Sequence, residues 1–219
     1  ADGTEIPVID NDNDWYTLWI DDKAMCYYGY SQDYGGIYGA LYTWAAAMNG
    51  NASYARTSKK IQGICPDGWH LPNDEEWKEL EMSIGMNQAE TDGSYYRGTT
   101  QGSKLAGNSD LWNEGSLSRD ENFEISGFKA LPGAIWYNYW KSPEYNFTKE
   151  LVNLADTNYN TDKNIKTSIG KYAYFWTATE HAITSAYYRN LFYDSTQVFR
   201  NFYPKNFALS VRCIKDSNE

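Results

Sequence analysis

Few side chains in these 219 residues can make or break bonds near neutral pH: two histidines, His70 and His181, and three cysteines, Cys26, Cys65 and Cys213. No CxxC and no Cys/His spacing suited to a closed zinc site occurs among them. His70 stands just before an acid-rich stretch, with no serine or cysteine nucleophile and orienting acid near it in sequence. A structural histidine ahead of a helix is therefore expected there, not a catalytic base. The alternating acids Asp10, Asp12 and Asp14 resemble half of a calcium loop, and Asp21 falls where the last ligand would sit. Trp15 nevertheless occupies the sharp-turn position that needs glycine, so one of these acids is expected to cap a short helix carrying Trp15, Leu18 and Trp19. No cofactor is implied. Calcium stays compatible with the chain only because carboxylates and carbonyls from distant loops leave no linear motif.

The cysteines admit two readings. A Cys65–Cys213 bridge would close a loop of 148 residues and contribute about 4–5 kcal/mol in the loop-entropy model, leaving Cys26 single. Three buried free thiols are the other.

Recognition chemistry is more conspicuous. The chain holds 20 Tyr, 9 Trp and 8 Phe, 17% of its residues, and such rings offer large, rigid, half-polar contact area at low entropy cost. The formal charge of −10 and a pI of about 4.7 repel a phosphate backbone, which argues against nucleic acid as a partner. Mean hydropathy is −0.70 and no apolar run approaches the roughly 18 residues a membrane helix needs. The length suits one domain spanning residues 1–219. The lack of an initiator Met and of a signal peptide predicts a longer precursor before Ala1.

The elements that must position these residues can be placed in part. Tyr27 to Tyr42 has no helical period and reads as loop and short strand; without a βαβ unit its glycines do not make a phosphate loop. Leu41 to Met48 reads as an Ala-rich helix ended by Asn49-Gly50. Asn73 and Glu76 have capping-box spacing and start a helix ended by Gly85, with Trp77, Leu80, Met82 and Ile84 on its apolar side and Glu75, Glu76, Lys78 and Glu79 on its wet side. Gly127 to Gly133 reads as a buried strand that turns sharply, and a loop-rich insert with Trp140, Tyr145 and Phe147 runs from Tyr137 to Lys171. The last fifty residues are strand-like. Tyr172 to Thr177 is one strand, and Tyr187 to Tyr193 with Val198 to Tyr203 form a hairpin about an Asp194–Gln197 turn. Ala208 to Ile214 is a terminal strand.

Six blocks in order carry a family likeness: YGALYTWAAAMNG (38–50), GICPDGWHLPNDEEWKELE (63–81), SGFKALPG (126–133), YAYFWTATE (172–180), AYYRNL (186–191) and ALSVRCIKD (208–216). Together they closely resemble the Fibrobacter succinogenes major paralogous domain of exported lipoproteins and surface proteins. The resemblance implies an α+β, C-type-lectin-like fold akin to the formylglycine-generating enzymes, with two helices packed on a short mixed or antiparallel sheet and long loops. It also implies a Cys65–Cys213 disulfide and export to the cell surface or medium, lipid-anchored in the precursor. It carries no activity. The copper-binding cysteine pair of the formylglycine-generating enzymes, the several histidines of the related sulfoxide synthases and the sugar motifs of calcium lectins are not matched, and Trp112-Asn113-Glu114 is a distant echo of the last.

The same fold in variable proteins of diversity-generating retroelements displays residues from a C-terminal hairpin, and the matching window here is His181 to Asn206. In an extended chain Tyr188, Asn190 and Phe192 share one face, and Tyr187, Arg189, Leu191 and Tyr193 the other. With the first face outward, the implied ligand-binding set is His181, Tyr188, Asn190, Phe192, Asp194, Arg200, Asn201, Tyr203 and Asn206. The expected function is non-enzymatic recognition of a protein or glycan, as an adhesin or receptor-like domain. The alternatives are an oxidase-like enzyme of the formylglycine-generating superfamily and a pilus or scaffold domain.

Overall fold

The computed structural model describes residues 3, 5–51, 60–136 and 169–217. The aromatic insert around Trp140, Tyr145 and Phe147 falls outside them.

Aromatic and β-branched runs in the last fifty residues form the centre of the molecule. Strands β5 (Tyr172–Ala182), β6 (Ser185–Phe192) and β7 (Val198–Pro204) join β4 (Tyr95–Arg97) in an antiparallel sheet of order β4-β7-β6-β5. The expected hairpin is present, with Tyr188 opposite Asn201 and Asn190 opposite Phe199. Before the sheet come β1 (Met25–Cys26) paired with β2 (Leu41–Tyr42), and β3 (Trp69–His70) paired with β8 (Ile214–Lys215). The helices are α1 (Asp12–Trp15), α2 (Gln32–Tyr38), α3 (Trp44–Met48), α4 (Asp74–Ser83), α5 (Gln88–Asp92), α6 (Gln101–Leu105) and α7 (Ser116–Arg119). The architecture is thus α+β.

Period-two alternation divides the sheet between two cores. Tyr174, Trp176, Tyr188 and Phe199 point to one side, onto Trp44, Met48, Leu71 and Leu209. Ala173, Phe175, Leu191 and Val198 point to the other, onto Trp77, Leu105, Trp112 and Leu117. Both faces are covered, so the middle of the sheet shows no wet face, and the polar strand residues Arg97, Arg189, Asn190 and Arg200 are buried with the apolar ones. A third cluster holds the N-terminal part, with Trp15, Cys26, Leu41, Trp136 and Ala208 buried together.

Cys65 and Cys213 are bonded, with S–S 2.01 Å and Cα atoms 5.8 Å apart, and tie the segment after the sheet to the one before α4; Cys26 is a buried free thiol. Other expectations need correction. Trp19 does not pack with Trp15 but is 78% exposed, because α1 ends at Trp15 and a turn closed by Asp22 carries Trp19 outward. Gln32–Tyr38 is a helix in a stretch expected to be loop. The helix expected from Leu41 begins only at Trp44, where Thr43 caps it, since Leu41 and Tyr42 are spent in β2. Residues 208–210 bridge three different partners, Trp136, Tyr42 and Phe175, instead of forming one ladder, so strand geometry is confined to Ile214–Lys215. Likewise, the stretch from Gly127 forms only an isolated bridge, Ala130 to Ala106.

Candidate functional site

Helix α4 sets the geometry at the centre. The Asn73 side chain accepts from the Glu76 amide and the Glu76 carboxylate accepts from the Asn73 amide, a closed capping box that starts the helix where the sequence placed it. Its sheet-facing stripe is Asp74, Trp77, Lys78 and Glu81, at helical spacings of three and four, and three of those four side chains are charged. The assignment of Lys78 to the wet side is therefore corrected: it is buried, its ammonium 2.9 Å from Glu75 and 2.8 Å from Asp92.

Three arginines from three strands meet the two buried carboxylates. Arg97 on β4 donates both terminal nitrogens to Glu81, each at 2.8 Å. Arg189 on β6 bridges the pair, Nε to Glu81 and Nη1 to Asp74, both at 2.7 Å. Arg200 on β7 grips Asp74 through Nε at 2.9 Å and Nη2 at 2.6 Å, and its Nη1 donates to the Gly93 carbonyl. Burial alone would push the Asp74 carboxyl up. The hydrogen bonds and charges of Arg200 and Arg189 outweigh it and hold the group well below the usual carboxylate range. A carboxylate pinned in this way is a fixed anion at neutral pH rather than a proton carrier, and the arrangement locks helix to sheet.

This lock continues outward as a stack of rings. The Arg200 guanidinium lies 4.5 Å over the Tyr187 ring, and His181 meets Tyr187 edge-on at 5.1 Å. The same imidazole lies parallel to Phe202, with centroids 3.7 Å apart and planes 5° from each other. Next to it the β5–β6 turn presents Ile183, 80% exposed. Partial burial, then the Arg200 charge, holds the His181 ring below the usual histidine range, so it is neutral at pH 7.

The nine residues expected to form one binding surface do not converge. Tyr188 is 1% exposed and stacks on Tyr203 at 4.3 Å inside a core, and Asn190 is 4% exposed and donates its amide to the Ala173 and Leu191 carbonyls. Their assignment to an outward face is overturned, because a second layer covers that side of the sheet. Arg200, 7% exposed, belongs to the ion-pair lock. Phe192, Asn201 and Tyr203 are half-buried, and Phe192 stacks on Tyr172. Asp194 is exposed in the β6–β7 turn and accepts from Ser116. Asn206 joins the N-terminal part, its carbonyl accepting from the Trp15 indole and its amide donating to Leu18. Of the nine, His181 and Arg200 touch the ring stack near the β5–β6 turn, where Ile183, Tyr187 and Phe202 were missed. Asp10 and Asp14 both accept from the Asn11 amide, and Asp12 accepts from Tyr30. Among the described residues no group of three or more His, Cys, Asp or Glu is arranged to hold a metal ion. His70 is buried, each ring nitrogen 2.7 Å from a carboxylate, as a structural histidine should be.

A mixed α+β molecule, stapled by one disulfide and centred on an aromatic sheet locked by arginines, is the class these features define. The family described as the Fibrobacter succinogenes major domain matches residues 1–215, and the chain belongs to it. No curated protein and no solved structure matches the chain.

Proposed function

We propose that this is a ligand-binding module of an exported protein, adhesin or receptor-like, built on a C-type-lectin-like scaffold and recognising a protein or glycan on another cell without transforming it. The observation that carries the reading is the parallel His181–Phe202 stack, edged by Tyr187 and fixed from beneath by Arg200 on Asp74. A partly exposed aromatic surface whose base is anchored in a buried ion network loses little entropy on binding. Ile183 adds an apolar contact at its edge. The disulfide suits an oxidising compartment. Diversification of the His181–Asn206 window by a retroelement is the sharpest form of the proposal; in that form the variable contacts would be the exposed members of the window, not Tyr188 or Asn190.

The test is a glycan array together with capture of surface proteins from neighbouring or host cells, run with the wild-type chain and with the double variant His181→Ala, Phe202→Ala. Loss of a specific signal in the variant at unchanged melting temperature supports the proposal. Retention of that signal in the variant would place recognition elsewhere.

A further inference from the structure

His70 joins β3 and the start of α4 to a segment 146 residues further on, and the way it does so goes beyond ligand recognition. Its Nε2 lies 2.7 Å from Glu76 Oε1 at the start of α4, and its Nδ1 lies 2.7 Å from Asp216 Oδ1, just after β8. The ring is 3% exposed. Carboxylates only accept hydrogen bonds, and a neutral imidazole has one N–H and one lone pair. Both short contacts are hydrogen bonds only when the ring carries both protons. Once it loses one, a nitrogen lone pair faces a carboxylate across 2.7 Å and one of the two must withdraw.

The two carboxylates are not equally held. Glu76 is fixed by its other oxygen, which accepts from the Asn73 amide in the capping box. Asp216 is the more exposed, with side-chain exposure of 36% against 20% for Glu76, and Lys60 at 3.6 Å offers it another partner. Among the described residues, the charged groups tied to the ring are Glu76 on α4 and Asp216 after β8, with Lys60 before β3 reaching it through Asp216. We infer that His70 is a proton-operated clasp: doubly protonated, it holds residues 214–217 against β3, and on deprotonation it releases them at Asp216. The Cys65–Cys213 disulfide limits the opening to the residues beyond Cys213.

The reporter is the Asp216 amide, which donates to the Gly68 carbonyl at 2.8 Å. Hydrogen exchange of the whole 219-residue chain, corrected for the intrinsic pH dependence, is compared at about pH 5.5 and about pH 8.5. Protection of that amide is expected to fall about tenfold at the higher pH, the size of one lost charge-assisted hydrogen bond, while amides of β6 stay unchanged. In Asp216→Asn, which keeps His70 and the capping box, protection should be low at both pH values. Nitrogen chemical shifts of the ring supply the second measurement, with two N–H groups expected at the lower pH. Equal protection at both pH values, a pH dependence that survives Asp216→Asn, or a singly protonated ring at about pH 5.5 would each overturn the clasp.

Discussion

Replacing Asp74 by Asn removes one negative charge from a site where two guanidiniums depend on it. The carboxylate accepts Arg200 at 2.9 and 2.6 Å and Arg189 at 2.7 Å, and Asp74, Arg189 and Arg200 are 4%, 1% and 7% exposed. With Asn, one oxygen remains to accept and an amide group is aimed at a cation. Glu81, already shared by Arg97 and Arg189, becomes, among the described residues, the only buried carboxylate facing three arginines. Breaking a buried ion pair by removing one partner costs about 3–5 kcal/mol, because the surviving charges keep their desolvation penalty. For a chain of this length that corresponds to a fall in melting temperature of about 10 °C. The assay is urea unfolding under non-reducing, disulfide-intact conditions, with the exposed Glu79→Ala as a control expected to change stability by less than about 0.5 kcal/mol. The pH dependence adds a second reading. The folded Asp74 carboxyl lies below its ordinary value, so its stabilisation is present above the unfolded-state value of about 3.9 and fades as pH falls through the folded one. The gap between wild type and variant should therefore narrow steadily as pH drops below about 5 toward the folded-state value. A loss under about 1 kcal/mol at pH 7, or a gap that stays constant with pH, would mean that the arginines are satisfied by other acceptors.

Three further predictions follow from burial and connectivity. Cys213→Ser, which opens the 148-residue loop, should cost about 4–5 kcal/mol, read as a lowered urea midpoint relative to the oxidised wild type. Tyr188→Ala should cost about 3–5 kcal/mol by emptying a core position, whereas His181→Ala should leave the melting temperature almost unchanged; equal effects would mean the two rings are equally exposed. Burial pushes the Cys26 thiol far above its usual range, so iodoacetamide should label it only after unfolding, and rapid labelling of the native chain would contradict its enclosure.

Local signals in the sequence were readable where a side chain acts on its own backbone. The Asn73–Glu76 box placed the start of α4 because capping depends on a spacing of three, and the turn at Asp194–Gln197 between aromatic runs placed the hairpin. The outward face of β6 is not legible, because alternation names a buried side only when one parity is polar. Here Tyr188 and Leu191 sit on opposite faces, and both are buried. The arginine lock was hidden because charges default to the surface. Its trace was the stripe Asp74, Trp77, Lys78, Glu81, readable as a core-facing row had the charges not been set aside. Helix α2 was concealed by Gly35-Gly36, yet a Cβ on Gly35 would lie 2.4 Å from the Tyr27 ring, so the glycine serves close packing and not a loop. The three partners of residues 208–210 lie far away in sequence, and no local pattern announces them.

The most direct test of the account is aromatic and methyl NMR of the intact chain titrated with a ligand recovered from the array or capture experiment, with the ligand then weighed by mass spectrometry. The account predicts shifts concentrated at His181, Ile183, Tyr187 and Phe202, with the ligand returned at its original mass. Shifts centred elsewhere, or a ligand returned chemically altered, would contradict it.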